Sequence, residues 1–256
     1  MFENIKYKMK KINIIALTAL VFLSINSFAQ ETIHHDKTNT WFTLLNRLNI
    51  NKDWSVSNEI HERTGAFLTD QGTFLWRPSV DYHLNENVEF SVGYSYLSNK
   101  PNDPNPNPKI GVVENNIWEQ VLLKNKIGKV NFQHRLRQEN RWFDTVGQNV
   151  DGTYSKTGKD YANRFRYRLT VNTDIKIFKN NQSLFFQAFD EVWIPQTDKL
   201  APKSLSRNWF YAGLGYKFNP KTNLQIGYMS QFDPIGNNTY ISTPILQTTF
   251  VRNFDL

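Results

Sequence analysis

Tyr161–Phe178 reads YANRFRYRLTVNTDIKIF, and its side chains alternate in type with almost no interruption. One parity carries Tyr161, Phe165, Tyr167, Leu169, Val171, Ile175 and Ile177; the other carries Arg164, Arg166, Arg168, Thr170, Asn172, Asp174 and Lys176. A period of two is the signature of a β-strand, here with one apolar face and one charged face. Ordinary sheet strands run to about five or six residues, whereas a tilted strand crossing a bilayer needs roughly nine to eleven. This stretch is long enough to cross. Three arginines in succession suit a wet barrel interior if the aromatic and aliphatic face meets lipid.

The same alternation recurs along the chain. Phe42, Leu44, Leu48 and Ile50 oppose Thr43, Arg47 and Asn49; Trp54, Val56 and Ile60 oppose Ser55, Ser57, Glu59, His61 and Arg63. Phe74, Trp76, Pro78, Val80, Tyr82 and Leu84 oppose Thr73, Arg77, Ser79, Asp81 and His83. Pro78 removes a ladder donor, so a bulge or a weak point is expected there. Val88–Tyr96 follows, then the less regular 114–127, then Val130–Phe143 with Gln133, Arg135, Arg137, Glu139 and Arg141 on its polar side. Beyond the opening stretch come 183–194, where Phe185, Phe189 and Asp190 blur the parity, and then 206–218, 223–232 and 245–256.

These segments number eleven, joined by short turns at 51–53, 85–87, 128–129, 179–182 and 219–222 and by longer connections at 67–72, 98–113, 144–160, 195–205 and 233–244. Alternating short and long connections are what an up-and-down transmembrane barrel produces. Such barrels normally have an even strand count, so residues 30–39 either climb through the lumen or pair as a short extra strand. The expectation is an all-β antiparallel barrel of ten to twelve strands, with twelve preferred, occupying 30–256 as one domain. The alternative is a soluble lipocalin-like barrel or β-sandwich with its apolar face turned inward.

The first 29 residues read as a secretory signal peptide. Lysines precede the apolar run Ile12–Ile25, and Ser27-Phe28-Ala29 offers small residues where a signal peptidase reads. The run is too short to span a bilayer. The formal charge of +7 includes Lys6, Lys8, Lys10, Lys11 and Glu3 in this leader, so the remainder carries about +4, with no nucleic-acid motif. The absence of cysteine excludes a disulfide framework, thiolate metal sites and a lipoprotein anchor. A mean hydropathy of −0.55 argues against a helical membrane protein, yet suits a barrel that hides its apolar residues at alternate positions. The last stretch, ILQTTFVRNFDL, places Leu246, Phe250, Phe254 and Leu256 on one face. It resembles the C-terminal signal that barrel-assembly machinery reads, with Arg252 as a departure. The expected location is the outer membrane of a Gram-negative-type bacterium, with membrane lipids and that machinery as partners.

On the inward parity, Arg63, Arg77, Arg135, Arg137, Arg141, Arg164, Arg166, Arg168 and Arg207 are countered by Glu59, Asp81, Glu89, Glu139 and Glu191. The ladder of Arg135, Arg137, Glu139, Arg141, Arg164, Arg166, Arg168, Glu191 and Arg207 reads as an ion-paired filling of a narrow interior, or else as an anion-attracting pore. No catalytic, cofactor-binding or metal-spacing motif stands out. His134 falls on the lipid-facing parity, where a lipid-modifying barrel enzyme needs a Ser/His pair. A surface-structural protein, in contrast, places its function in loops 98–113 and 144–160.

One family draws these features together. Trp41 in the first strand, His134-x-Arg-x-Arg-x-Glu-x-Arg141, Arg164-x-Arg-x-Arg168, Phe189-Asp-Glu191, Arg207, Tyr211-Ala-Gly-Leu-Gly-Tyr216 and Gly227-Tyr228 occur in that order. The set resembles the uncharacterised bacterial outer-membrane β-barrel family catalogued as domain of unknown function 2490. The resemblance implies a barrel and supplies no activity.

Overall fold

The structure, a computed structural model, describes residues 31–34, 37–65, 67–100, 110–236 and 239–256. The expected signal peptide at 1–29 lies outside the described residues. Twelve strands follow one another: β1 (Glu31–His34), β2 (Asn39–Asn49), β3 (Trp54–Gly65), β4 (Asp70–Asn85), β5 (Val88–Asn99), β6 (Val112–Ile127), β7 (Val130–Gln148), β8 (Tyr154–Ile177), β9 (Ser183–Gln196), β10 (Arg207–Asn219), β11 (Thr222–Gly236) and β12 (Thr239–Asp255). A 3-10 turn, Lys179–Asn181, joins β8 to β9.

Strands β2 to β12 pair in chain order, each antiparallel to the next, and β12 then pairs with β2 to close a barrel of eleven strands. With an odd number of up-and-down strands the first and last run in the same direction, so the closing seam has to be parallel. It runs from Asn39↔Ile245 to Asp255↔Asn49. The short β1 lies on the same edge of β12, parallel to it, from Glu31↔Thr239 to His34↔Ser242. The lead-in therefore pairs as an extra strand, and that explains how an odd barrel tolerates its count: the first strand begins at the end where the last one begins.

The expected contrast of short and long connections holds only in part. The connections 100–111 and 197–206 run to twelve and ten residues, whereas 66–69, 149–153 and 237–238 run to four, five and two. The stretch 144–160, read as a loop from its Gly, Asn, Ser and Thr content, is instead a hairpin extending β7 and β8, with Asp144↔Lys159 and Gln148↔Tyr154 still in register. Its tip is closed by Asn149 and Thr153, whose backbones bond at 2.7 Å, and Gly152 supplies a φ of +81° that side-chain-bearing residues avoid. The stretch 233–244 is likewise mostly strand, because Pro234 and Pro244 are accommodated within the β11–β12 ladder. At Pro78 there is no bulge. The β4–β5 ladder lapses after Trp76↔Tyr96 and resumes at Ser79↔Gly93 in the same register, which is the effect of one missing N–H donor.

The two parities separate as the alternation requires. Trp54, Trp76, Val80, Val92, Leu214 and Tyr228 are exposed on the outer surface. The residues facing inward are largely buried, polar and charged: Ser55, Asp81, Glu89, Glu139, Arg166 and Glu191 among them. This is a soluble barrel turned inside out. It excludes the lipocalin-like alternative, whose apolar face would line the interior.

Candidate functional site

Strands β7, β8 and β9 bring most of the predicted ladder together. Arg135 stands opposite Arg168 and Arg137 opposite Arg166, while Glu139 faces Arg164; on the other flank Arg168 faces Glu191. Like charges directly opposite each other are destabilising, and two carboxylates relieve them. Glu139 accepts from Arg164 Nε and from Arg166 Nη1, both at 2.7 Å. Glu191 accepts from Arg135 Nη2 at 2.6 Å, Arg166 Nε at 2.8 Å and Arg168 Nε at 2.9 Å. Arg166 thus bridges the two glutamates. Glu139 and Glu191 are 0% exposed and Arg166 3%, so charge-assisted, partly bidentate bonds replace the water these groups have lost.

Arg137 is held differently. Its Nε and Nη2 donate to Gln120 Oε1 at 3.1 and 2.7 Å, and its guanidinium lies 4.1 Å from the centre of the Trp118 ring. Arg141 and Arg207 belong to the ladder by parity but not by contact. Arg141 forms a two-pronged pair with Glu114, with bonds of 2.7 and 2.7 Å, and Arg207 pairs with Asp233. Neither acidic partner was foreseen, because Glu114 begins the least regular strand and Asp233 sits where a loop was read. Across the lumen, Arg77 donates to Glu59 at 2.8 Å and to Ser95 at 2.8 Å. Toward the short-turn mouth, Glu89 takes Arg47 at 2.9 Å and Lys124 at 3.2 Å.

A second wall of the lumen is aromatic and apolar. Trp41, Phe189, Trp193, Trp209, Tyr211, Met229 and Ile245 form one buried cluster on β2 and β9 to β12. Trp193 and Trp209 lie 4.5 Å apart between ring centres, and Trp41 and Trp209 5.2 Å. Phe185 and Phe189, which blurred the parity of β9 in the sequence, point inward because this wall needs rings. The glycines of the Tyr211-Ala-Gly-Leu-Gly-Tyr216 stretch make room for them. A Cβ on Gly215 would enter the Phe185 ring, and one on Gly213 or Gly227 would meet Tyr211. The repeated glycine is the signal by which this wall could have been recognised. The two walls meet on β9, where Arg168 lies 4.0 Å from the Phe189 ring centre and Arg166 4.0 Å from that of Trp193.

Side chains leave cavities in the remaining interior. One of about 330 Å³ opens toward the end that carries the loops 100–111 and 197–206 and is lined by Arg63, Arg77, Arg164, Arg166 and Arg207. One of about 340 Å³ lies toward the short-turn end, and one of about 220 Å³ lies between them. Arg77 borders all three and Arg166 two of them. Outside the barrel, His134 on β7 shares a hydrogen bond of 2.8 Å with the Tyr167 hydroxyl. Its partner is a phenol on the neighbouring strand, not a serine.

No curated protein and no solved structure matches the chain. A family model does, over residues 38–241, a span that takes in every residue of the ladder, the strand β2 and all of the buried ring cluster but Ile245. The chain belongs to the family described as "Protein of unknown function (DUF2490)".

Proposed function

We propose that this chain is an outer-membrane β-barrel whose interior is held shut between its mouths by the Arg/Glu network, so that it serves as a closed membrane-embedded scaffold and not as an open diffusion pore. The observation that carries this reading is Arg166, 3% exposed and bridging two fully buried carboxylates. Barrels of about eight strands are filled by side chains and those of sixteen to eighteen leave an aqueous channel. An eleven-stranded barrel lies between, so the contents of the lumen decide. Here six arginines and two glutamates on β7 to β9, together with the rings of β9 and β10, occupy it. Membrane placement is supported by the apolar outer face and by its exposed aromatics, among them the neighbouring Trp54 and Tyr82 at the short-turn end, the positions where such rings form girdles. Lipids are the partners of that face. The C-terminal strand, with Phe250, Phe254 and Leu256, is the segment that assembly machinery would read. Arg252 lies 4.6 Å from the Phe254 ring centre, positioned to reach the interface.

The test is single-channel recording of the refolded mature protein in a planar bilayer under a salt gradient. The expected result is a silent membrane, with an anion leak appearing when Glu139→Gln and Glu191→Gln are combined and the arginines lose their carboxylates. Circular dichroism of each sample checks that the barrel has formed. Steady anion-selective steps from the unsubstituted protein, losing selectivity in the Arg164→Ala/Arg166→Ala/Arg168→Ala variant, would overturn the closed reading and make the chain a narrow anion channel.

A further inference from the structure

The lumenal arginines described above are tied to carboxylates or, for Arg137, to an amide oxygen. Arg63 is the exception. It stands on β3 opposite Trp41, its guanidinium 3.9 Å from the Trp41 ring centre and 5.5 Å from that of Trp209. Among the described residues no carboxylate lies within salt-bridge distance of it, and its Nε is buried without an acceptor. A guanidinium offers five N–H donors, and stacking on a ring uses none of them.

Arg63 lines the cavity of about 330 Å³ at the loop end. Buried polar groups are ordinarily satisfied, and each one left over calls for an explanation. Guanidinium N–H groups without acceptors in a cavity wall ask for a ligand that brings oxygen acceptors. Arg77, Arg164, Arg166 and Arg207 surround the same space, so the acceptors are best carried by an anion. Their own carboxylates already neutralise much of that charge, and the unpaired cation left for a ligand is Arg63.

We propose that this vestibule is a binding site for a small, soluble oxyanion of the phosphate-ester class, with the phosphoryl group on the Arg63 guanidinium. The volume is near the lower end of small-molecule sites, roughly 300–1,000 Å³. It admits a monosaccharide phosphate and little more. The barrel wall separates the cavity from the outer face, and a soluble ligand entering through the mouth fits that geometry where a lipid headgroup does not. The site stands whether or not the lumen conducts, so its failure and the failure of the closed-barrel reading are separate results.

The experiment is titration of the refolded mature protein in detergent with glucose 6-phosphate, inorganic phosphate and glucose, followed by calorimetry and by tryptophan fluorescence, since Trp41 and Trp193 line the site. Saturable binding is expected for glucose 6-phosphate, weaker binding for inorganic phosphate and none for glucose. Arg63→Gln should weaken the sugar phosphate about 10- to 100-fold, the value of a charged hydrogen-bond pair. Arg63→Lys keeps the charge without the fork and should fall between the two. Lys217→Ala, at the opposite mouth, should bind as the unsubstituted protein does. Absence of saturable binding to the unsubstituted protein overturns the proposal. So does equal affinity in Arg63→Gln, or binding of glucose as tight as that of its phosphate. Should Arg63→Gln fail to fold, Arg63→Lys carries the same decision.

Discussion

The lumen has two walls, and they are built on opposite principles. On β7 and β8 the inward positions are nearly all charged, and the wall holds together because Glu139 and Glu191 each serve several guanidinium groups. On β9 to β12 and β2, inward rings, aliphatic chains and glycines are packed as in an ordinary core, and Gln225, Gln247 and Thr249 share the same wall. The charged wall depends on every member being present, because a buried ion left without its partner is far more costly than a pair replaced whole. The ring wall depends on shape, and its losses scale with the volume removed. Placing both in one barrel lets the flat guanidinium groups of Arg164, Arg166 and Arg168 lie on the rings of Trp193 and Phe189 while their N–H edges reach carboxylates.

The largest expected effect separates the two walls. Glu191→Ala strands Arg135 and Arg168, leaves Arg166 with Glu139 alone and should destabilise the barrel by roughly 3–5 kcal/mol; Trp209→Ala should cost a similar ~3–5 kcal/mol by opening a cavity. Urea unfolding in lipid vesicles, repeated at low and high salt, tells them apart. The loss in Glu191→Ala should shrink as chloride screens the stranded arginines, whereas the loss in Trp209→Ala should not change. Equal salt dependence in both would break the comparison.

A middle-sized effect probes shape alone. Gly215→Val drives a branched side chain into the Phe185 ring and should cost about 1–3 kcal/mol by overpacking; adding Phe185→Ala should recover much of that loss. An additive double variant would mean that the glycine is there for some reason other than ring space. Smallest of all is Lys217→Ala. Its partner Asp174, at 2.7 Å, is a third exposed at the short-turn mouth, and water screens the pair, so the change should stay below about 1 kcal/mol. A larger loss would mean that the charged wall extends cooperatively to the mouth.

Much of this was legible in the chain. The alternation at Tyr161–Phe178 marks a strand and assigns its faces, and the ladder residues of β7 and β8 all point where their parity puts them. Legibility failed where one side chain type serves two purposes. Phe185, Phe189 and Trp41 are as apolar as residues on the outer face; parity places them inward beside Glu191 and Thr43 while their chemistry suggests the outer face, and the packing of the ring wall is what reconciles the two. Gly, Asn and Thr between 144 and 160 look like loop residues, yet the Asn149–Thr153 turn lets β7 and β8 pair almost to their tips. Arg63 carried no mark in the sequence. It shares its strand's polar parity with Glu59 and His61, and its lack of a partner is a property of the space around it.

Local chemistry alone determined the strands, their two faces, the inside-out polarity and a charge ladder with more arginine than glutamate, because each follows from a period of two between chain neighbours. Closure, pairing and vacancy were decided in three dimensions. Eleven strands meet along a parallel seam because an odd count leaves the first and last strands pointing the same way. Glu114 finds Arg141 and Asp233 finds Arg207 because a sheet brings distant residues into register. Arg63 keeps its donors free because, in the closed barrel, rings and other arginines lie beside it and, among the described residues, no carboxylate lies within salt-bridge distance.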